Sequence, residues 1–451
     1  MRLEPTKVDV RRLRDLLARG NRAAAHEMLA WLGPSELADV LVQLDPVQLA
    51  ALEASIGSDR LADAVAQLDP SEAAELLIRF GRAAAADILE EMEPDDATDV
   101  VEELRSSEAE GILAEMRADD AREIRDLMNF PPDTAGGRMT PEFVSIGPDL
   151  TVAAAIRLIR TRAPSAETIY YIYVTDSDGR LIGVVSLRDL IIADPQTRIA
   201  QIMRTQVMNV PATADQEAAA HVLTEHDLLA LPVVDQAGRL IGVITADDVA
   251  DVLEEEATED FEKLGGSQPL DVPYLRASIW QMARKRIGWL LILFVAEAYT
   301  GTVLRHYEDT ISKVVSLTFF IPLLIGSGGN VGSQITTTLT RAMAVGDVEF
   351  GDLLHVLRKE IGTGLLIGLV MGSVGFIRAS MLGVEEPVRI VVGLAAFAIV
   401  VWASTVAAVL PLILRRLRVD PALVSAPFIA TLVDGTGLII YFSVADRLMG
   451  L

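Results

Sequence analysis

From about residue 285 onward the chain is a succession of apolar runs long enough to cross a bilayer, and no other feature limits its fold so severely. A backbone in hydrocarbon must satisfy its own polar groups, and runs of roughly 20 residues do so as helices. Five spans are expected, at about 286–305, 312–344, 355–381, 388–414 and 422–448. Basic residues cluster at Arg284-Lys285-Arg286, Arg358-Lys359 and Arg415-Arg416-Arg418. All three clusters fall on one side if the N-terminus is cytoplasmic, as the excess of basic residues in cytoplasmic loops requires. The expected protein is therefore multi-pass in the cell (inner or plasma) membrane, with its N-terminus cytoplasmic and its C-terminus outside.

The last run, PALVSAPFIATLVDGTGLIIYFSVADRLM, carries Asp434 near its middle. An ionised carboxylate there costs about 2.5–3.5 kcal/mol by insertion scales. It should face a watery cavity, a metal ion or a partner, which makes it a candidate cation site in a pore. The alternative is a protonated or locally hydrogen-bonded Asp that only helps helices pack. Gly435 and Gly437 follow it, and Thr431 and Thr436 flank it, so the backbone there can be approached closely. The second run, IPLLIGSGGNVGSQITTTLTRAM, places Gly328, Gly329 and Asn330 among Pro322, Gly326, Gly332 and Gln334. That composition predicts a broken helix lining a pathway, or close packing of small residues. Pro411 and Pro427 are expected to kink their spans. Glu297 is a second intramembrane acid.

Before about residue 270 the texture is different. The whole chain is 51% apolar yet has a net charge of −25, and most of the acid lies in this first part. Such a surface argues against nucleic acid and towards cations. With no cysteine, thiolate sites are excluded and oxygen-ligand metal chemistry is favoured. The start, MRLEPTKVDVRRLRDLLARG, is charged and lacks the apolar core of a secretory signal. The first 270 or so residues are thus expected to stay on the side where they are made.

Residues 21–130 repeat. Pro46, Pro70 and Pro94 stand 24 residues apart, each preceded by an acid, and the next step lands on Ala118. Midway lie GPSELADVL, GSDRLADAV and RSSEAEGIL, so each unit reads as two short helices stacked into a small superhelix. An interaction or spacer module is one reading; an acid such as Asp63 or Asp95 meeting metal at an interface is the other.

Two later segments copy each other: TIYYIYVTDSDGRLIGVVSLRDLI (168–191) and HDLLALPVVDQAGRLIGVITADDVADVL (226–253). Each has a β-rich run, a turn, a second β-rich run, and a Ser/Thr-x-x-Asp helix start. Over about 138–253 this duplication resembles a tandem pair of CBS domains. The resemblance implies an adenine-nucleotide cleft, with Asp189 near ribose, Arg188 near phosphate and Tyr171 near the base. The other reading is that Asp189 and Asp248 merely cap their helices. The tract ADDVADVLEEEATEDFEKLGG then crowds carboxylates onto one helix, either a solvated face or a surface that divalent cations neutralise. VPYLRASIWQMARKRIG after it reads as an amphipathic connecting helix along the membrane surface.

The acidic repeat, the CBS pair, the connecting helix and the spans, with GGNVGSQ and DPALVSAPFIATLVDGTGLIIY, together resemble an MgtE-type magnesium channel over nearly the whole chain. The implied fold is multidomain: an all-α superhelical N-domain (1–130), an α/β tandem CBS pair (131–253, divided at about 200), an acidic segment and connecting (plug) helix (254–284), and an α-helical membrane domain of about five spans (285–451). The resemblance implies a homodimer with its pore on the two-fold axis, hydrated Mg²⁺ at Asp434, and Gly328, Gly329, Asn330, Pro427 and Gly435 shaping the pathway. It further implies closure by cytosolic Mg²⁺. Asp63 and Asp95 would pair with Asp248. Asp215, Glu217, Asp227, Asp251, Glu256, Glu259 and Asp260 would serve the CBS and connecting-helix sites, and Asp420 would answer from the membrane domain. ATP or another adenine nucleotide would be a modulator. Ala426 stands where some members carry Asn, and Leu228 where some carry an aromatic near the nucleotide. Self, membrane lipid and divalent cations are the expected partners, without nucleic acid.

No GxxxxGK[ST] loop, His cluster or GxSxG elbow occurs in the sequence, so no enzyme is expected. The alternatives are a pathway for Co²⁺, Mn²⁺ or Ca²⁺, a cation exchanger, or a membrane-anchored sensor that does not conduct.

Overall fold

The computed structural model of the protein describes residues 10–162, 166–270, 272, 274–417, 419–420 and 425–450. Arg418 and positions 422–424 of the expected fifth span lie outside the described residues. The chain divides into two compact units, 1–254 and 255–451.

The first unit begins with ten helices among the described residues: α1 (Val10–Ala18), α2 (Arg22–Leu29), α3 (Pro34–Leu41), α4 (Pro46–Ile56), α5 (Ser58–Val65), α6 (Pro70–Phe80), α7 (Arg82–Leu89), α8 (Pro94–Glu102), α9 (Ser106–Leu113) and α10 (Ala118–Leu127). The repeated prolines open α4, α6 and α8, where a missing N–H leaves no bond unmade. Asp45 closes a capping box at α4: its Oδ1 accepts from Gln48 N at 2.9 Å, and Gln48 Oε1 accepts from Asp45 N at 3.1 Å. Asp69 and Glu93 hold the same place before α6 and α8 without a side-chain cap. Leucines, valines and isoleucines of successive helices, from Leu13 to Ile124, merge into one core, as stacked helix pairs require.

Two three-stranded sheets follow among the described residues. The first joins β1 (Ser145–Ile146), β2 (Tyr171–Thr175) and β3 (Leu181–Ser186); the second joins β4 (Val210–Pro211), β5 (Ala230–Val234) and β6 (Leu240–Thr245). In each, the first strand runs parallel to the middle one and the last antiparallel. The helices are α11 (Val152–Arg162), α12 (Leu187–Ile192), α13 (Ile199–Ile202), α14 (Gln216–Glu225) and α15 (Ala246–Leu264). The two hairpin turns touch: Leu181 N donates to Gly238 O at 3.1 Å and Leu240 N to Gly179 O at 3.0 Å. Arg138 ties this region to the helical repeat, donating to Asp99 Oδ2 at 3.0 Å and to Gln216 Oε1 at 2.9 Å.

The second unit holds α16 (Ile279–His306), α17 (Glu308–Lys313), α18 (Ile321–Ala344), α19 (Leu353–Met381), α20 (Glu386–Arg416) and α21 (Ala426–Met449). Five helical stretches among the described residues are long and apolar enough to cross a membrane.

Three expectations are corrected here. The second span is an unbroken helix from Ile321 to Ala344, led in by a 3-10 turn at Val315–Phe320. Two of its glycines serve packing: a Cβ at Gly328 would stand 2.7 Å from both Ile399 and Val433, and one at Gly332 would stand 2.5 Å from Ile429. Pro427 makes no kink, because it sits in the first turn of α21, and α20 continues as helix through Pro411. Among the described residues between Leu264 and Ser278 no further helix is formed. Turn residues 274–277 lead to Ser278, whose Oγ caps Gln281 N at 3.2 Å, and α16 then runs without interruption through Arg284–Arg286 into the first span.

Candidate cation sites

Acids from three places in the first unit converge. Glu93, Asp95 and Asp96 lie at the start of α8, Glu167 in the segment before β2, and Asp247 and Asp248 in the first turn of α15. One carboxylate oxygen from each of Glu93, Asp95 and Glu167 falls within a mutual 4.8 Å, and the same holds for Glu167, Asp247 and Asp248. Glu167 is shared, so the two groupings make one site. Thr245 organises it, with its hydroxyl 2.6 Å from both Asp247 Oδ1 and Asp248 Oδ2 and its N–H 3.1 Å from Asp248 Oδ2.

The electrostatics are adverse without a cation. Asp95 is only 6% exposed, and its Oδ1 and the Oε2 of Glu167 are buried with no hydrogen-bond partner. Burial, then Asp248 and Glu93, pushes Glu167 up to about 8 against the hydrogen bonds from Thr245 and Thr140. Burial, then Glu93 and Asp248, pushes Asp96 up to about 7. Glu93 is exposed as a residue, yet desolvation of its carboxyl and then the charge of Asp248 push it up to about 6. Asp95 is raised well above its ordinary range, first by burial and then by Asp248. Orphaned carboxylate oxygens in a desolvated cluster suit a hard divalent cation, which accepts oxygen ligands alone.

The residues singled out in the sequence are placed as follows. Asp95 and Asp248 are inside this cluster. Asp63, exposed on α5, acts on it through the charge it presents to Glu93. Asp251 is one turn along α15, raised by burial and then by Glu254. Asp215, Glu217 and Asp227 belong to neither grouping; Asp215 caps α14, accepting from Glu217 N at 3.0 Å and Ala218 N at 3.3 Å. Glu93, Asp96, Glu167 and Asp247 are additions. For Glu93 the signal was the change from LDP to MEP in the repeat; Glu167, in an irregular segment, carried none.

Tyr171 stands opposite Ser186 in the β2–β3 ladder, one residue from the start of α12, which carries Arg188 and Asp189. Ser186 Oγ accepts from Asp189 N at 3.1 Å, so the hydroxyl caps the helix. Tyr171 is partly buried against the small cluster formed by Tyr173, Leu240 and Val243.

In the second unit, Glu259, Asp260 and Asp420 come together around a single base, Lys263. Lys263 Nζ donates to Asp420 Oδ2 at 2.8 Å and pairs with Glu259. Burial opposes its charge, but Asp420 and Glu259 outweigh burial and hold the ammonium above its ordinary range. Asp260 is raised by burial and then by Asp420. Glu256 is half-buried on the same helix.

Asp434 is half-buried in the unbroken helix α21. Gly329 of α18 faces it, since a Cβ there would lie 3.7 Å from Asp434 Oδ1, and Glu297 of α16 presents its charge to it. Gly435 packs on Tyr299, where a Cβ would come within 2.5 Å of the ring. Asn330 is exposed on α18.

Models of known families match this chain as an MgtE intracellular N domain over residues 32–133, as CBS domains over 135–195 and 199–255, and as a divalent cation transporter over 321–444. The magnesium transporter MgtE of Thermus thermophilus is 46% identical over 328 residues, 72% of each chain. That of Enterococcus faecalis is 36% identical over 327 residues, again 72% of each. A crystal structure of the cytosolic domain of the Mg²⁺ channel MgtE in complex with ATP is 37% identical with a TM-score of 0.51, covering 54% of this chain and 99% of that one. At this identity and coverage, the chain belongs to the MgtE family of magnesium transporters.

Proposed function

We propose that the protein is a Mg²⁺-permeable channel of the cell membrane, acting as a homodimer with its N-terminus cytoplasmic and its C-terminus outside, and closed by Mg²⁺ on the cytosolic side. Asp434 would hold Mg²⁺ in the pathway. Mg²⁺ sheds water reluctantly, so a half-buried carboxylate in a membrane span suits an ion that keeps its hydration shell. A two-fold axis would bring two copies of this carboxylate to one passage. Gly328, Asn330, Pro427 and Gly435 would shape that passage.

The observation that carries the regulatory half is the pair of buried carboxylate oxygens without partners, Asp95 Oδ1 and Glu167 Oε2, in a cluster whose strongest charge effects come from other acids. Mg²⁺ would be held there by Glu93, Asp95, Glu167, Asp247 and Asp248, with Asp63 and Asp251 at the margin. Asp215, Glu217, Asp227 and Glu256 would offer exposed or half-buried sites for hydrated ions, and Glu259, Asp260 and Asp420 a site beside the membrane unit. An ion binding one arrangement of these acids better than another shifts the equilibrium by its differential affinity. An adenine nucleotide at Tyr171, Arg188 and Asp189 would be a modulator, as the ATP complex of the related cytosolic domain supports. Transport of this kind involves no catalytic step.

The test is Mg²⁺ flux in proteoliposomes with internal Mg²⁺ varied. Flux that falls as internal Mg²⁺ rises is expected; flux indifferent to it removes the regulatory reading. The family description as a divalent cation transporter favours a second reading, a pathway for Co²⁺, Mn²⁺ or Ca²⁺. The same assay with those ions separates the two.

A further inference from the structure

We propose that Trp289 and Lys263 form a metal-independent joint that ties the end of α15 to the N-terminus of the pore helix α21. Both residues position the pore helix; neither touches the permeating ion.

Contacts within the second unit make the joint. Lys263, in the last turn of α15, binds Asp420 at 2.8 Å and pairs with Glu259. Just beyond the helix, Gly266 turns with φ +75°, and its N–H donates to Lys263 O at 2.8 Å. A Cβ at Gly266 would come within 2.9 Å of Cδ1 of Trp289 and 3.6 Å of Pro427, so the turn lies against the indole. The indole Nε1 donates to Ser425 Oγ at 3.1 Å, and its ring lies 6.2 Å from that of Phe428. Ser425 is itself the N-cap of α21, with its buried hydroxyl accepting from Phe428 N at 3.4 Å.

One indole therefore touches the turn that ends α15, the cap of α21 and the first turn of α21. Lys263 meanwhile supplies a fixed positive charge between carboxylates that otherwise repel: Asp260 is raised by Asp420 as well as by burial. An ammonium on a side chain cannot diffuse away when the ion concentration falls. The joint thus persists at low Mg²⁺ and leaves bound ions to set the position of a helix end that is already attached. This assignment rests on the gating reading above, in which the acidic helix α15 senses Mg²⁺.

The experiment measures two things on the full-length protein in liposomes: residual flux at saturating internal Mg²⁺, and the distance distribution between spin labels at positions 258 and 431. Trp289→Phe keeps the ring and removes the donor. Lys263→Met removes the charge, and Lys263→Arg restores it. Residual flux is expected to rise about two- to tenfold in Trp289→Phe, the factor one neutral hydrogen bond is worth, with no change at low Mg²⁺. Lys263→Met should leak likewise and Lys263→Arg should not. Ser425→Ala should leak at least as much as Trp289→Phe, and the double variant no more than Ser425→Ala alone. The label distance should broaden in Trp289→Phe and Lys263→Met with or without Mg²⁺. If the parent protein fails to close while the distances still broaden, the gating reading falls and the joint stands. Unchanged distances in both variants, or full closure in both where the parent closes, overturn the joint.

Discussion

Glu167→Gln isolates the charge at the centre of the acidic cluster of the first unit. Glutamine keeps the shape and the hydrogen bonds to Thr245 and Thr140 but cannot ionise. In the folded protein Glu167 is pushed from 4.5 to about 8, first by burial and then by Asp248 and Glu93. At about pH 7 the unfolded chain holds this side chain ionised, and folding must discharge it at 1.36 kcal/mol for each pH unit above 4.5, or about 3.4 kcal/mol. The side chain keeps some exposure to solvent, and screening reduces that figure to about 2 kcal/mol. The variant escapes this penalty and should be more stable than the parent without metal. For a unit of 254 residues the gain corresponds to about 4–8 °C in Tm. One of the oxygen ligands proposed for Mg²⁺ is lost at the same time, so the further rise in Tm on adding Mg²⁺ should shrink. Thermal unfolding of purified protein, in EDTA and in saturating Mg²⁺, measures both effects. A variant less stable than the parent in EDTA, or one with the parent's full response to Mg²⁺, would refute the reasoning.

Protons should imitate the ion. Asp96 at about 7 and Glu167 at about 8 are raised above their unfolded values, so their contribution is fully present at acid pH and is lost as pH rises through that range. Metal-free Tm should therefore fall between about pH 5 and pH 8, and saturating Mg²⁺ should flatten the slope; equal slopes would mean that Mg²⁺ binds elsewhere. Asp434→Ala should abolish Mg²⁺ flux in proteoliposomes while circular dichroism stays unchanged, and parental flux would remove the pore assignment. Gly332→Val should clash with Ile429 and destabilise the membrane unit by about 1–3 kcal/mol, read as a lower Tm in detergent; a variant as stable as the parent would mean that α18 and α21 are not held this close.

Most of the architecture was legible because it is periodic. The 24-residue proline step, the duplicated strand–turn–strand pattern and the length of the apolar runs each depend on local geometry. Junctions were harder. The segment before α16 read as one amphipathic helix, yet Ser278 with Gln281 makes a capping box that starts the helix later, and once started it has no reason to stop at the membrane. Glycine in α18 was ambiguous for a different reason: composition cannot tell a backbone opened for a ligand from one opened for Ile399 and Val433. The acids of α8 and α15 could be proposed from their charge density. Glu167 could not, because its partners are supplied by tertiary packing, and Lys263 was hidden among so many acids that a single base looked incidental.

Asp45 and Glu93 occupy equivalent steps of one repeat, and only the first closes a capping box. A proline-led helix needs little from the residue ahead of it, since such a cap contributes only about 1 kcal/mol. The place ahead of each proline is therefore free to take on chemistry while the superhelix stays as it is. In the Mg²⁺ site proposed above, Glu93 holds such a place, and a carboxylate moved to the same position in another copy would carry that ligand to a different face without redesign of the scaffold.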